Sequence, residues 1–526
     1  MGVKKGDRVG VIMGNNSAYA MLQWACVSIG AILVTINPAY KLHELVSTLR
    51  VVNVQHLFAV PRMRSSTYIE TLSQAFPQIR SQHPGEIRIE ELPELRNLIA
   101  VDNAEAEKAR LGRLKIRSLV DWREILLWRE DAIEERRVAE IMTSLKKDDV
   151  VNLQFTSGTT GLPKAVSLTH DNLLNNGISI GRAMWFTEQD VLCEYLFKLF
   201  FLVLGNLAAW THGACIVYPS AVFDPPSIVD AVVEEKCTAL HGVPTHFLGV
   251  SAEVEKRRAA GEVLDFGRLR TGIAAGSPIP IDLMKSLIEK LNLRDLTVAY
   301  GMTETSPVSF QSTPADPIIK RVETVGKILP HVRAKVVDAD GDVVPVNTPG
   351  EIVVAGYLLQ KGYWDDEKQT KEVMKKDKEG TLWMWTGDEG IMDEEGYLRI
   401  VGRIKTHLKD IIIRGGENLF PVQIENALTA HNAIREAAAV SVPDKKYGEV
   451  VGAWIVREPG TSISRVEVRA SVVQNMNHQN APAWVWFIGE DGNPTELPKT
   501  ASGKVQKHIL RKWSRYLADK GVGEVV

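Results

Sequence analysis

Residues 155–164 read FTSGTTGLPK. Thr156, Ser157, Thr159 and Thr160 supply hydroxyls, Gly158 and Gly161 supply flexibility, and Lys164 closes the stretch. Just before it, Val150, Val151 and Leu153 read as a short strand. A strand that runs into such a loop can fold over a polyphosphate. Glycine tolerates positive φ and lets backbone N–H groups approach an anion. Hydroxyls donate to phosphate oxygens, and a lysine adds a mobile point charge. No G-x-x-x-x-G-K string followed by Ser or Thr is present, so this is not a Walker A loop. The same composition also suits an ordinary surface loop, so the remainder of the chain must decide.

The bulk properties narrow the field. A chain of 526 residues is too long for one compact core, so two or more domains are expected. A net charge of -3 argues against a generally basic nucleic-acid binder, though not against a local basic patch, and no nucleic-acid partner is expected. Cys26, Cys193, Cys215 and Cys237 show no C-x-x-C spacing, which suggests neither a zinc site nor a disulfide framework and points to a reducing compartment. Residues 18–36 are largely apolar but interrupted by Gln23, Ser28 and Gly30. They read as a buried helix capped by Ser17, a break at Gly30 and a strand from Ala31 to Ile36. Residues 199–210 are too short to span a bilayer, so no membrane span is expected. There is no clean signal-peptide layout, and the terminal Glu-Val-Val is not a peroxisomal tripeptide. The expected compartment is cytoplasmic or organellar, with peroxisome and mitochondrion both open.

Outward from the glycine-rich stretch, the pattern is that of an α/β protein. Arg8 to Met13 reads as a strand, 42–52 as a helix, and 56–60 as a strand. Residues 103–147 read as solvated, charge-rich helices. Thr169 to Arg182 reads as a helix, 214–219 as a strand, 227–236 as an amphipathic helix, and 238–250 as a strand feeding a proline-containing turn. Residues 269–280 and 296–307 are strands that end in small or polar residues, the kind of loop that builds ligand crevices in open sheets. Residues 333–400 carry short strands separated by D-G and E-G turns, which indicates a small β subdomain. A last unit starts near 411 with IIIRGG, a helix and a strand, and ends in a polar tail.

Five strings then match one family in order and spacing: FTSGTTGLPK, YGMTET (300–305), TGDEG (386–390), GR at 402–403 followed by RGGENLFPVQIE (414–425), and PKTASGK (498–504). The chain resembles AMP-forming acyl-CoA synthetases, of the adenylate-forming superfamily that also holds luciferases and peptide-synthetase adenylation domains. Within it, the chain is most similar to fungal-type short- to medium-chain and branched-acid ligases. The resemblance implies a large α/β AMP-binding domain with a small β subdomain (1–404), a hinge (405–410) and a mobile α+β lid (411–526). It implies ATP, Mg²⁺ and CoA, a fatty or branched carboxylic acid as substrate, and a product acyl-CoA. It assigns Thr156 to Gly161 and Lys164 to the pyrophosphate, Glu304 to Mg²⁺, Thr303 to the α-phosphate, and Tyr300 to adenine. Gly301 and Met302 belong to the same loop, and Ala275, Gly276 and Ser277 line the adenine side. Asp388 takes the ribose hydroxyls, and Arg403 reaches ribose and phosphate. Lys504 is the catalytic lysine, although on composition alone it reads as a tail lysine. Arg414, Gly415, Gly416 and Glu417 line the CoA channel, and His241, Gly242, Val243 and Phe247 border the acyl pocket.

Three departures from the family pattern stand out. Several dozen residues that usually precede the first strand are missing, which implies an absent strand–helix layer. Lys198 and Phe201 stand where a histidine and a glycine are expected. The hinge reads GRIKTHLKDIII, about four residues longer than usual, so either Lys405 or Lys409 is the hinge residue. They suggest an altered gene model or splice product, or a decaying paralogue. They also keep two rival functions open: loading of a carrier protein, and a catalytically impaired ligase-like nucleotide-binding protein.

Overall fold

Short apolar runs rich in Val, Ile and Leu, each followed by a helix, form parallel strands because the helix carries the chain back to the edge it left. The computed structural model describes residues 1–101, 105–126, 133–157, 163–195, 200–276, 279–403, 412–419, 421–490, 493–498 and 505–525. These fall into two compact units. The first takes residues 1–38, 45–156 and 164–402, and the second takes 39–44, 157–163 and 403–526.

The first unit holds three sheets. In the eight-stranded sheet the order is Gly362–Tyr363, Pro163–Thr169, Val150–Ser157, Ile32–Thr35, Arg8–Ile12, His56–Ala59, Asn97–Ala100, Leu119–Asp121. Its register is parallel through Arg8↔Ile32, Val9↔His56 and Leu33↔Asn152. In the seven-stranded sheet the order is Lys327–Ile328, Val308–Gln311, Asp295–Gly301, Thr271–Ala275, Ala239–Leu240, Val191–Cys193, Cys215–Val217. An antiparallel sheet built from Val332–Val337, Gly350–Gly356, Leu382–Met392, Met374–Lys376 and Leu398–Arg403 is the expected β subdomain. Helix His170–Ala183 lies in the core these sheets share, with Leu173 and Ile180 packed beside Val166, Phe310 and Val354.

Several sequence expectations need correction. Helix Ser17–Ile29 is capped by Asn16, whose side chain accepts from the Tyr19 N–H, rather than by Ser17. Both residue types can cap, and only the backbone decides which stands outside the helix. Gly30 does break the helix, with φ 67. Pro244 is not in a turn. It opens helix Pro244–Ala259, where a missing N–H costs nothing. The polar tail contains helix Lys507–Ala518, whose Leu510 is fully buried. Helix Ile133–Thr143 has no buried residue, in line with its solvated reading.

The second unit is built on a sheet ordered Glu417–Leu419, Ile412–Arg414, Gly448–Arg457, Ile434–Asp444, with Trp484–Phe487 also paired to Gly448–Arg457. Alternation divides the side chains between two faces. Ala439, Val451, Ala453 and Phe487 pack with Ile424 and Leu428 of helix Pro421–Thr429. Ala438, Val440, Trp454 and Trp486 pack with Leu497 and Leu510.

The cap assignment can be checked by denaturant unfolding. Asn16→Ala should lower stability by about 1 kcal/mol, whereas Ser17→Ala should stay within about 0.5 kcal/mol of wild type.

Candidate active site

Lys164 leaves the glycine-rich stretch on strand Pro163–Thr169, which pairs with the two-residue strand Gly362–Tyr363 through Ser167↔Gly362 and Val166↔Tyr363. That pairing brings the Tyr363 ring under the lysine, with Nζ 5.0 Å from the ring centroid. The lysine also donates to Gln369 on helix Glu367–Val373. Burial pulls the Lys164 pKa down, and the charges of Glu304, Asp366 and Glu372 oppose that shift.

Glu304 comes from the other sheet. Strand Asp295–Gly301 ends, and a single 3₁₀ turn, Thr303–Thr305, follows. The turn is tight: a Cβ on Gly301 would lie 1.8 Å from the Pro307 carbonyl oxygen. Thr305 locks it by accepting from the Met302 N–H at 3.0 Å and donating to the Pro307 carbonyl at 2.9 Å. The Glu304 side chain is 7% exposed and accepts from the Tyr363 hydroxyl at 2.8 Å. Its own carbonyl accepts from the Gln360 N–H at 2.9 Å. Burial and the adjacent carboxylate push the Tyr363 pKa strongly up, so its hydroxyl remains a donor. Lys164 and Glu304, 140 positions apart in the sequence, thus share one aromatic partner.

A second link joins Tyr300 to Asp388. The phenol donates to Asp388 Oδ2 at 2.6 Å. Asp388 is 6% exposed and sits in strand Leu382–Met392, at a point where Gly387 takes φ 71. The backbone there is held by Thr386, which accepts from the Asp388 N–H, and by Glu351, which accepts from the Gly387 N–H. An ionised carboxylate is acceptor-only, so every hydrogen bond to the Asp388 side chain comes from a donor such as this phenol.

Ala275 ends strand Thr271–Ala275, and Gly276 follows with φ 83. His241 is fully buried and uses both ring nitrogens. Nδ1 accepts from the Ile273 N–H at 3.2 Å, and Nε2 donates to the Leu204 carbonyl at 3.0 Å. It braces the strand ends instead of offering a free nitrogen. Gly242 lies against Phe247, where a Cβ would meet the ring at 2.9 Å. Val243 is the N-cap position of helix Pro244–Ala259, and Phe247 is fully buried within it. In the second unit, Gly415 and Gly416 form the turn between Arg414 and Glu417, with φ 57 and 82. Such a pair of positive φ values is the twist-matched hairpin geometry that glycine supplies. Arg414 donates to the Gln479 carbonyl at 2.7 Å and stacks on Tyr447.

Thr156 lies in strand Val150–Ser157 and is the last residue of that strand to belong to the first unit. Gly158, Thr159, Thr160, Gly161, Ser277, Lys198, Lys405, Lys409, the hinge 405–410 and Lys504 lie outside the described residues, as do the side chains of Ser157, Phe201 and Arg403. Sequence reasoning missed Tyr363 and Gln369. The only signal was Gly362-Tyr363 in a polar stretch, and its partner strand lies almost 200 positions earlier.

Among the described residues no three His, Cys, Asp or Glu side chains gather as a metal cage. A single carboxylate with one oxygen engaged by Tyr363 suits Mg²⁺, a hard cation that takes one or two protein carboxylates and fills its shell with phosphate oxygens and water.

Known proteins share this chain's sequence and fold. Residues 1–364 match the AMP-binding enzyme family, and residues 423–504 match the AMP-binding enzyme C-terminal domain. Acyl-CoA ligase sidI of Aspergillus fumigatus is 42% identical over 516 residues, covering 97% of this chain and 83% of that protein. Acyl-CoA ligase SID4 of Ajellomyces capsulatus is 41% identical, covering 98% and 84%. The mitochondrial medium-chain acyl-CoA ligase ACSF2 of Danio rerio is 34% identical, covering 97% and 80%. In fold, the chain is similar to an amide bond synthetase from Marinactinospora thermotolerans, at TM-score 0.74 and 22% identity over 97% of this chain and 91% of that one.

His241 generates a pH prediction. Burial lowers its pKa from 6.5 to about 4. Between these values the unfolded chain binds a proton that the folded chain refuses. Stability from this site is therefore complete above pH 6.5 and is lost as pH falls to about 4. Unfolding titrations should show that decline in wild type and a shallower one in His241→Gln.

Proposed function

The chain belongs to the AMP-binding enzyme family and is an AMP-forming acyl-CoA ligase of the adenylate-forming superfamily, and from that premise we propose how its residues carry the reaction. Such a ligase joins a carboxylic acid to CoA at the expense of ATP, giving acyl-CoA, AMP and pyrophosphate. In the first step a carboxylate oxygen of the acid attacks the α-phosphorus, and the bond to pyrophosphate breaks. In the second, the CoA thiolate attacks the acyl carbon and AMP leaves. Both steps gather negative charge, so catalysis rests on positioning and electrostatic stabilisation.

The observation that carries this reading is the meeting of Lys164 and Glu304 on Tyr363. Lys164, with the hydroxyls and N–H groups of 156–161, holds the β- and γ-phosphates. Glu304 holds Mg²⁺, which when bound offsets the charge of the departing pyrophosphate. Thr303 reaches the α-phosphate, Tyr300 packs against adenine with Gly301 and Met302, and Ala275, Gly276 and Ser277 border the base. Asp388 accepts from the ribose hydroxyls while its other oxygen stays tied to Tyr300. Arg403 spans ribose and phosphate. Residues 405–410 serve as the hinge of a lid, 411–526. The lid presents Lys504 for the first step and the Arg414–Glu417 hairpin to the pantetheine arm for the second.

We take the substrate to be a fatty or branched acid, bordered by Gly242, Val243 and Phe247, with His241 bracing that wall. The four cysteines are free, which supports a reducing, cytoplasmic or organellar compartment. Among the described residues no helix is long and apolar enough to cross a membrane.

Pyrophosphate exchange over short, medium, branched and aromatic acids, followed by acyl-CoA formation, tests the reading. A chain impaired at 194–201 and 404–409 would bind ATP yet exchange nothing. Lys504→Ala should cut adenylation by about 10²–10³-fold while sparing thioester formation from preformed acyl-AMP. Equal loss of both half-reactions would contradict the lid assignment.

A further inference from the structure

The second unit carries two functional segments on the reading above, and each runs into a helix. The Arg414–Glu417 hairpin leads to helix Pro421–Thr429, and the PKTASGK segment leads to helix Lys507–Ala518. These helices lie on opposite faces of the sheet. Ile424 and Leu428 pack with Ala439 and Ala453, whereas Leu510 packs with Ala438, Val440 and Trp454. Two helices separated by a sheet have no apolar surface in common, so burial alone does not fix one against the other.

An ion pair does. Lys507 Nζ lies 2.7 Å from Glu425 Oε1, with side chains only 13% and 18% exposed. The same carboxylate oxygen accepts from the Ala439 N–H at 2.8 Å. Ala439 belongs to Ile434–Asp444, the strand at the end of the sheet order, which among the described residues pairs only with Gly448–Arg457. Its outward N–H would otherwise face an open edge. Glu425 thus covers the edge from one face, and Lys507 reaches it from the other. The described residues that flank 499–504, and the helix itself, have partners of their own. The Gln506 N–H donates to the Pro498 carbonyl at 2.7 Å, Leu497 and Leu510 share one core, and Ser514 accepts from the Trp454 indole at 2.9 Å.

We propose that the Glu425–Lys507 pair is a positioning clasp, closed over the edge strand, that fixes the start of helix Lys507–Ala518 relative to the Arg414–Glu417 hairpin. It rests on the reading of Lys504 as the adenylation lysine. Neither residue touches substrate. The pair sets where helix Lys507–Ala518 begins, and a partly buried ion pair resists sliding in a way that an apolar contact does not. Misplacing a catalytic group by 1 Å costs up to about 10²-fold in rate, so the clasp acts on turnover more than on affinity.

Two readouts test it in the full-length protein, using Glu425→Gln, Lys507→Met and Lys507→Arg. The first is amide hydrogen exchange, which is independent of activity. Peptides covering Ala439 and 505–510 should exchange about tenfold faster in Glu425→Gln and Lys507→Met, with Lys507→Arg near wild type. The second is pyrophosphate exchange. Its kcat should fall about tenfold in both loss variants, with KM for ATP and acid within about twofold and recovery in Lys507→Arg. The double variant Glu425→Gln/Lys507→Met should be no worse than either single one. Unchanged hydrogen exchange in the loss variants would overturn the clasp. So would faster exchange with kcat unchanged, or loss spread evenly over kcat and KM. A wild-type chain that shows the protected peptides but exchanges no pyrophosphate would instead count against the proposed function.

Discussion

The large unit depends on burying one carboxylate. A glutamate that is 7% exposed must be paired or hydrogen-bonded, because an isolated buried charge costs several kcal/mol. Glu304 meets that demand through the Tyr363 hydroxyl and the nearby Lys164 charge. Each partner comes from a different segment: the turn after one sheet's strand, a two-residue edge strand of the other sheet, and the strand that follows the glycine-rich loop. Satisfying this group therefore dictates how the two sheets meet. It also leaves a cation, a phenol and an acid side by side.

Local rules made much of this legible. The apolar runs at Arg8, His56 and Thr271 became strands, Gly30 ended its helix, and the D-G and E-G punctuation at 333–400 marked the antiparallel sheet. The motif strings placed Lys164, Glu304, Tyr300 and Asp388 in one unit, and the fold brings them into two groups, Lys164 and Glu304 on Tyr363 and Tyr300 on Asp388. What stayed hidden depends on long-range pairing. Tyr363 is one aromatic among many until its strand finds Val166. Asn16 and Ser17 are equally good caps on paper, and the chain direction at the helix start selects Asn16. His241 reads as a pocket residue, yet both its nitrogens are spent on backbone groups of neighbouring segments.

The sheet of the small unit has two unlike faces. One face carries the helix behind the glycine hairpin, and the other carries a tryptophan-lined core under the terminal helix. Trp454 and Trp486 stack at 5.1 Å between centroids, and the Trp454 indole donates to Ser514, which ties the middle of the terminal helix to this face. A lid that exchanges one functional edge for another must itself be rigid, or rotation would not deliver either group accurately.

The central claim is that the Glu304–Tyr363–Lys164 group grips the triphosphate of ATP through Mg²⁺. Calorimetric titration of ATP into wild type and Glu304→Gln, with and without Mg²⁺, tests it most directly. The account predicts that Mg²⁺ tightens ATP binding to wild type by about tenfold or more, and that Glu304→Gln loses this gain while binding metal-free ATP no more weakly. An equal Mg²⁺ gain in both proteins would contradict it.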